Sequence, residues 1–152
     1  MSELTLYLAP GTCAMAVRIA LVEAGAPHLV KRLDLAAGEQ RSPDYLAINP
    51  KGRVPALVTE HGVLTETPAL LLYVAQRFPN AGLAPLDDPF LLARMQEVHS
   101  FLVSTVHVAH AHGRRPGRWA DDAPGNQDAP AVMDGCAAGA HDAGQFVGAE
   151  QG

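Results

Sequence analysis

Cysteine is scarce in this chain, with only Cys13 and Cys136 among 152 residues. That excludes the multi-bridge framework that staples small secreted domains, since at most one disulfide could form. No apolar run approaches the roughly 20 residues needed to cross a bilayer. The N-terminus does not read as a secretory leader either. Glu3 stands where positive charge belongs, and Pro10-Gly11 interrupts the apolar stretch. Together these absences point to the cytoplasm and away from a membrane. Basic charge is also missing where a nucleic-acid surface would need it. Residues 120–152 contain no Lys or Arg but hold Asp121, Asp122, Asp128, Asp134, Asp142 and Glu150; that stretch carries −6 and the remainder +1 of the net −5. A near-neutral remainder offers no electrostatic footprint for nucleic acid. Arg114, Arg115 and Arg118 read as a solvated helix end.

What is present is ordinary for a globular chain, with 48% hydrophobic and 18% charged residues. The length suits one domain, or one small domain plus part of another. The informative stretch is Leu4 to Gly25. Leu4-Thr5-Leu6-Tyr7-Leu8 reads as a strand and Pro10-Gly11 as a turn. Thr12 is an expected N-cap, and a largely buried helix runs from Cys13 to its stop at Gly25. Cys13 therefore falls at a helix start, where backbone N–H groups and the positive dipole end favour a thiolate. The competing reading is an inert core cysteine.

Further along, His28 to Asp34 reads as a second strand and Leu35 to Arg41 as a loop. Ser42-Pro43-Asp44 opens a short helix ending near Ile48, and Asn49-Pro50-Lys51-Gly52 turns the chain. Val54 to Thr59 is a strand opened by Pro55, Val63-Leu64-Thr65 returns as a fourth, and Thr67-Pro68 starts a helix through about Phe78. The order β-α-β-α-β-β-α implies an α/β unit whose first two strands are parallel neighbours and whose last two form a hairpin.

After a linker, Asp88-Pro89 caps a long helix extending to Gly113. Leu91, Met95, Val98, Leu102, Thr105 and Ala109 are its expected apolar stripe. From Ala120 onward there are nine Ala, six Gly, five Asp and two Pro, without helical or strand period. This reads as disorder, or as a terminus shifted out of its native frame.

The strand–PGTC–helix start, the Lys51-Gly52-Arg53-Val54-Pro55-Ala56-Leu57 strand, the Glu66-Thr67-Pro68 helix start and the long helix together resemble the bacterial cysteine-containing, beta-type glutathione transferases. The resemblance covers about Leu4 to Trp119, and LAINPKGRVPALV…LTETPA carries most of it. It implies a thioredoxin-like α/β domain over 1–81, a linker over 82–87, the start of an incomplete all-helical domain over 88–119, and an atypical tail over 120–152. Glutathione is the implied co-substrate and a small hydrophobic electrophile the second substrate. A homodimer is implied, and no metal.

The resemblance gives Cys13 a contact with the glutathione sulfur. Val54, before a cis Pro55, would pair its backbone with the cysteinyl residue of glutathione like an added strand. Glu66 and Thr67 would receive the γ-glutamyl carboxylate at a helix start, beside their plain capping role. Lys51 could meet the glycyl carboxylate or remain a solvated turn residue. Ser104 and His107 match positions that reach glutathione from the second domain, with His107 a catalytic candidate. His107 also belongs to a cluster with His99, His110 and His112, and a metal reading of His107 and His110 at i, i+3 lacks carboxylate or cysteine ligands. Leu8 and Ala14 depart from the family, which often has tyrosine and serine at those places. The implied function is transfer of glutathione to electrophilic carbon, with thiol–disulfide exchange through Cys13 as related chemistry. The alternative is a glutathione-binding fragment with little catalysis.

Overall fold

The computed structural model describes residues 4–114. The readings that involve Arg115, Arg118, Trp119, Cys136 and the 120–152 tail lie outside the described residues. The chain divides into two compact units, the first closing at Leu92 and the second beginning at Ala93.

In the first unit, β1 (Leu4–Leu8), α1 (Ala14–Glu23), β2 (His28–Arg32), α2 (Pro43–Ile48), β3 (Ala56–Thr59), β4 (Gly62–Thr65) and α3 (Thr67–Arg77) follow in that order. The four strands form one sheet, β2-β1-β3-β4, with β1 and β2 parallel and the other pairs antiparallel. This is the thioredoxin-like arrangement.

Alternation along the strands sorts the core. Leu4, Leu6 and Leu8 of β1, with Leu57 of β3, pack against Ala14, Val17 and Leu21 of α1 and Leu70 and Val74 of α3. Tyr7 and Ala56 point to the opposite face and meet Tyr45 of α2. Each fully buried leucine or valine contributes about 1.5–3 kcal/mol relative to exposure.

Several boundaries have local causes. Gly25, at φ 59, ends α1 with Gly25 N–H donating to Val22 and Ala26 N–H to Leu21. That is the paired C-terminal motif glycine favours. Ser42 Oγ accepts from Tyr45 N at 3.3 Å and caps α2. β2 stops at Arg32, short of the expected Asp34. The Asp34 carboxylate accepts from Ala36 and Ala37 N–H, turning the chain instead.

Three expectations need correction. Thr12 does not cap α1; its hydroxyl donates to the Ala9 carbonyl at 2.7 Å, and Cys13 occupies the N-cap. The turn offered a nearer acceptor, so the hydroxyl stitched the loop rather than the helix. Nor is α1 largely buried. Only one face meets the sheet and α3, leaving Ile19 58% and Val22 60% exposed.

The third correction concerns the long helix. It comprises α4 (Pro89–Phe101), a wider π-type turn (Leu102–Val106) and α5 (His107–Arg114). Asp88 Oδ1 accepts from Phe90 and Leu91 N–H at its start. Of the expected stripe, Met95 and Ala109 are shielded, whereas Leu91, Val98, Leu102 and Thr105 are exposed. Leu92, Phe101 and Val106 place apolar groups on other faces, and the π-type turn breaks the period, so spacing alone could not choose the face.

Candidate active site

Three connections leave the sheet at one end because the register requires it. Tyr7 pairs with Ala56, and Ala56 pairs with Thr65. The loop after β1 leads to Cys13, the residues just before β3 are Val54 and Pro55, and those just after β4 are Glu66 and Thr67. A row of three paired residues thus gathers five of the expected site residues at one rim.

Cys13 is exposed and is the free cysteine among the described residues. Its Sγ stands 4.0 Å from the Val54 carbonyl oxygen, 41 residues on in the chain. The Val54–Pro55 peptide is cis, as the resemblance implied. Pro55 is buried and Val54 is partly buried. Proline has no N–H to give a ladder, so strand pairing begins at Ala56 rather than Val54.

Glu66 is the N-cap residue of α3 and has φ 70, the described non-glycine residue in that region. Its Oε1 receives Lys51 Nζ at 2.7 Å, and Lys51 also donates to Thr65 Oγ1 at 3.0 Å. Thr67 opens α3 and is partly buried. Lys51, Thr65 and Glu66 therefore form one polar group at the α3 start.

Ser104 and His107 belong to the second unit. Ser104 lies in the π-type turn and donates to the Ser100 carbonyl at 2.7 Å; His107 opens α5, and both are exposed. Among the described residues no cluster of three or more His, Cys, Asp or Glu side chains is placed to hold a metal ion. No described helix is long and apolar enough to cross a membrane. Leu8 and Ala14, where the family often carries hydroxyls, are core residues at 2% and 0% exposure.

Sequence reasoning missed Tyr45 and Asn49. Both are 2% exposed, and both donate to the carbonyl of Arg53 at 2.6 Å. Burial holds the Tyr45 phenol above its ordinary value of 10.0, partly offset by its hydrogen bonding with Asn49. The available signal was their spacing, i and i+4 on either side of a helix end, in a segment read only as helix and turn.

A thioredoxin-like sheet with a cysteine at the first helix, a cis-proline before the third strand and a polar helix start after the fourth defines a domain of the glutathione-transferase type. The family profile for the glutathione S-transferase N-terminal domain matches residues 2–76. A glutathione transferase homologue from Sulfitobacter, solved with bound glutathione, superposes with a TM-score of 0.82 at 51% identity, covering 90% of this chain and 68% of that one. A beta class glutathione S-transferase from Sphingomonas chungbukensis gives 0.74 at 36% identity, over 86% of this chain and 65% of that one. The maleylacetoacetate isomerase of Pseudomonas aeruginosa is 37% identical over 102 residues, 65% of this chain and 48% of that protein. The chain belongs to the glutathione S-transferase family. It spans about half the length, or less, of these first curated relatives.

Proposed function

We propose that this chain is a cysteine-containing, beta-type glutathione transferase that joins the sulfur of glutathione to small hydrophobic electrophiles. The observation that carries this reading is the approach of Cys13 Sγ to the Val54 carbonyl beside the cis Val54–Pro55 peptide. That juxtaposition supports a reading in which an extended thiol peptide runs along Val54 with its sulfur near Cys13. Pro55 shapes the loop, and Glu66 and Thr67 receive the γ-glutamyl end. Lys51 supplies a cation for a ligand carboxylate. The resemblance adds Ser104 and His107 as further glutathione contacts, a homodimeric assembly and a cytoplasmic setting.

In the reaction the glutathione sulfur attacks an electrophilic carbon. A C–S bond forms, the bond to the leaving group breaks, and the thiol proton passes to solvent. Binding of both partners in one orientation supplies much of the acceleration. Thiol–disulfide exchange at Cys13 would use a second glutathione as the resolving thiol.

The test pairs calorimetry with turnover. Titration with glutathione should release heat, and 1-chloro-2,4-dinitrobenzene plus glutathione should react above the uncatalysed rate. The absence of both heat and any rate above the blank would overturn the reading.

A further inference from the structure

We infer that Tyr45 and Asn49 are positioning residues that aim the Val54 N–H at the ligand by holding the carbonyl of Arg53 from behind. The inference rests on the proposed pairing of the Val54 backbone with the cysteinyl residue of glutathione.

Its basis is the planarity of one peptide group. The Arg53 C=O and the Val54 N–H belong to the same peptide, and Val54–Pro55 is the cis bond among the described residues. In a trans peptide the C=O and N–H point in opposite directions. Tyr45 Oη and Asn49 Nδ2 each donate to Arg53 O at 2.6 Å, and both side chains are buried. The Val54 N–H is thereby turned away from these two side chains.

The two donors are themselves fixed. Asn49 N–H donates to the Tyr45 carbonyl at 2.8 Å, and Asn49 accepts from Gly52 N–H at its backbone oxygen and from Lys51 N–H at Oδ1. The Tyr45 ring lies against Tyr7, with centroids 5.5 Å apart and planes tilted by 49°. Tyr7 is the β1 residue paired with Ala56. A chain of contacts thus runs from the sheet through two buried side chains to the peptide preceding Val54. A turn alone would need one such bond; two on a single carbonyl fix the plane of the peptide as well as its place.

Tyr45→Phe keeps the ring and its packing and removes one of the two bonds. In the full chain it should weaken glutathione binding about three- to tenfold, the span of one net hydrogen bond. KM for glutathione should rise in step, with kcat at saturating glutathione within about twofold. Amide exchange at Val54 should be slowed by glutathione in the wild type and less so in the variant. Binding by Tyr45→Phe within about twofold of wild type, with unchanged Val54 protection, would overturn the inference and leave the proposed function standing. A parallel fall of kcat, affinity and melting temperature would reduce Tyr45 to a structural role. A wild type that binds no glutathione would remove both readings.

Discussion

Lys51 Nζ stands 2.7 Å from Glu66 Oε1 and joins the turn before β3 to the start of α3. The two side chains are 53% and 67% exposed. Water and salt screen such a pair, so its contribution to folding is small.

The first prediction follows. Lys51→Met should change stability by no more than about 0.5 kcal/mol, the discounted value of an exposed pair. It should nevertheless weaken glutathione binding several-fold, and the deficit should shrink as salt screens the charge in the wild type. Urea denaturation and calorimetry at low and high salt read both effects. A large stability loss with unchanged affinity would make the pair a structural clamp.

The second concerns the sheet. Leu57 is fully buried in β3, paired with Leu6 on one side and Leu64 on the other. Leu57→Ala removes packing from the centre of the core and should destabilise by about 2–5 kcal/mol. A loss of unfolding free energy below about 1 kcal/mol, read from urea denaturation, would show that the surrounding strands collapse into the space.

The third is a pH dependence. Burial keeps the Tyr45 phenol protonated above its ordinary value of 10.0 in the folded chain. The unfolded chain releases that proton near its ordinary value, so above it the native state binds more protons and stability falls as pH rises. The Tyr45 contribution is therefore present below about pH 10 and is lost as pH rises above it, with a slope of at most about 1.4 kcal/mol per pH unit. Comparing wild type with Tyr45→Phe cancels the other titrating groups. Their stability gap should narrow as pH rises above about 10; a constant gap contradicts the assigned cause.

Much of the first unit could be read from local chemistry. β1 over Leu4–Leu8 and α2 with its Ser42 cap occur where strand composition and capping residues placed them. The parallel β1–β2 pair and the β3–β4 hairpin followed from helix-and-strand alternation, whereas the antiparallel β1–β3 pairing did not. What escaped was whatever depended on competition between partners in space. Thr12 had two acceptable uses for its hydroxyl, and only the folded turn shows that Ala9 is the acceptor. Ile19 and Val22 look like core residues in a list of apolar positions, but α1 has just one covered side. Cys13, Val54 and Glu66 were picked out by the family resemblance, and they lie at one rim of the sheet. Asn49 was hidden because a buried asparagine and a solvated turn asparagine are spelled alike.

The sheet order has a consequence for how the chain comes off the ribosome. β1 emerges first, but its antiparallel neighbour is β3, with Thr5 opposite Val58. Roughly fifty residues must be made before that edge can close, and closing so long a loop is slow compared with forming a local hairpin. Until β3 is made, one side of β1 stays open to pairing with other chains, and an unpaired strand edge of that kind favours aggregation.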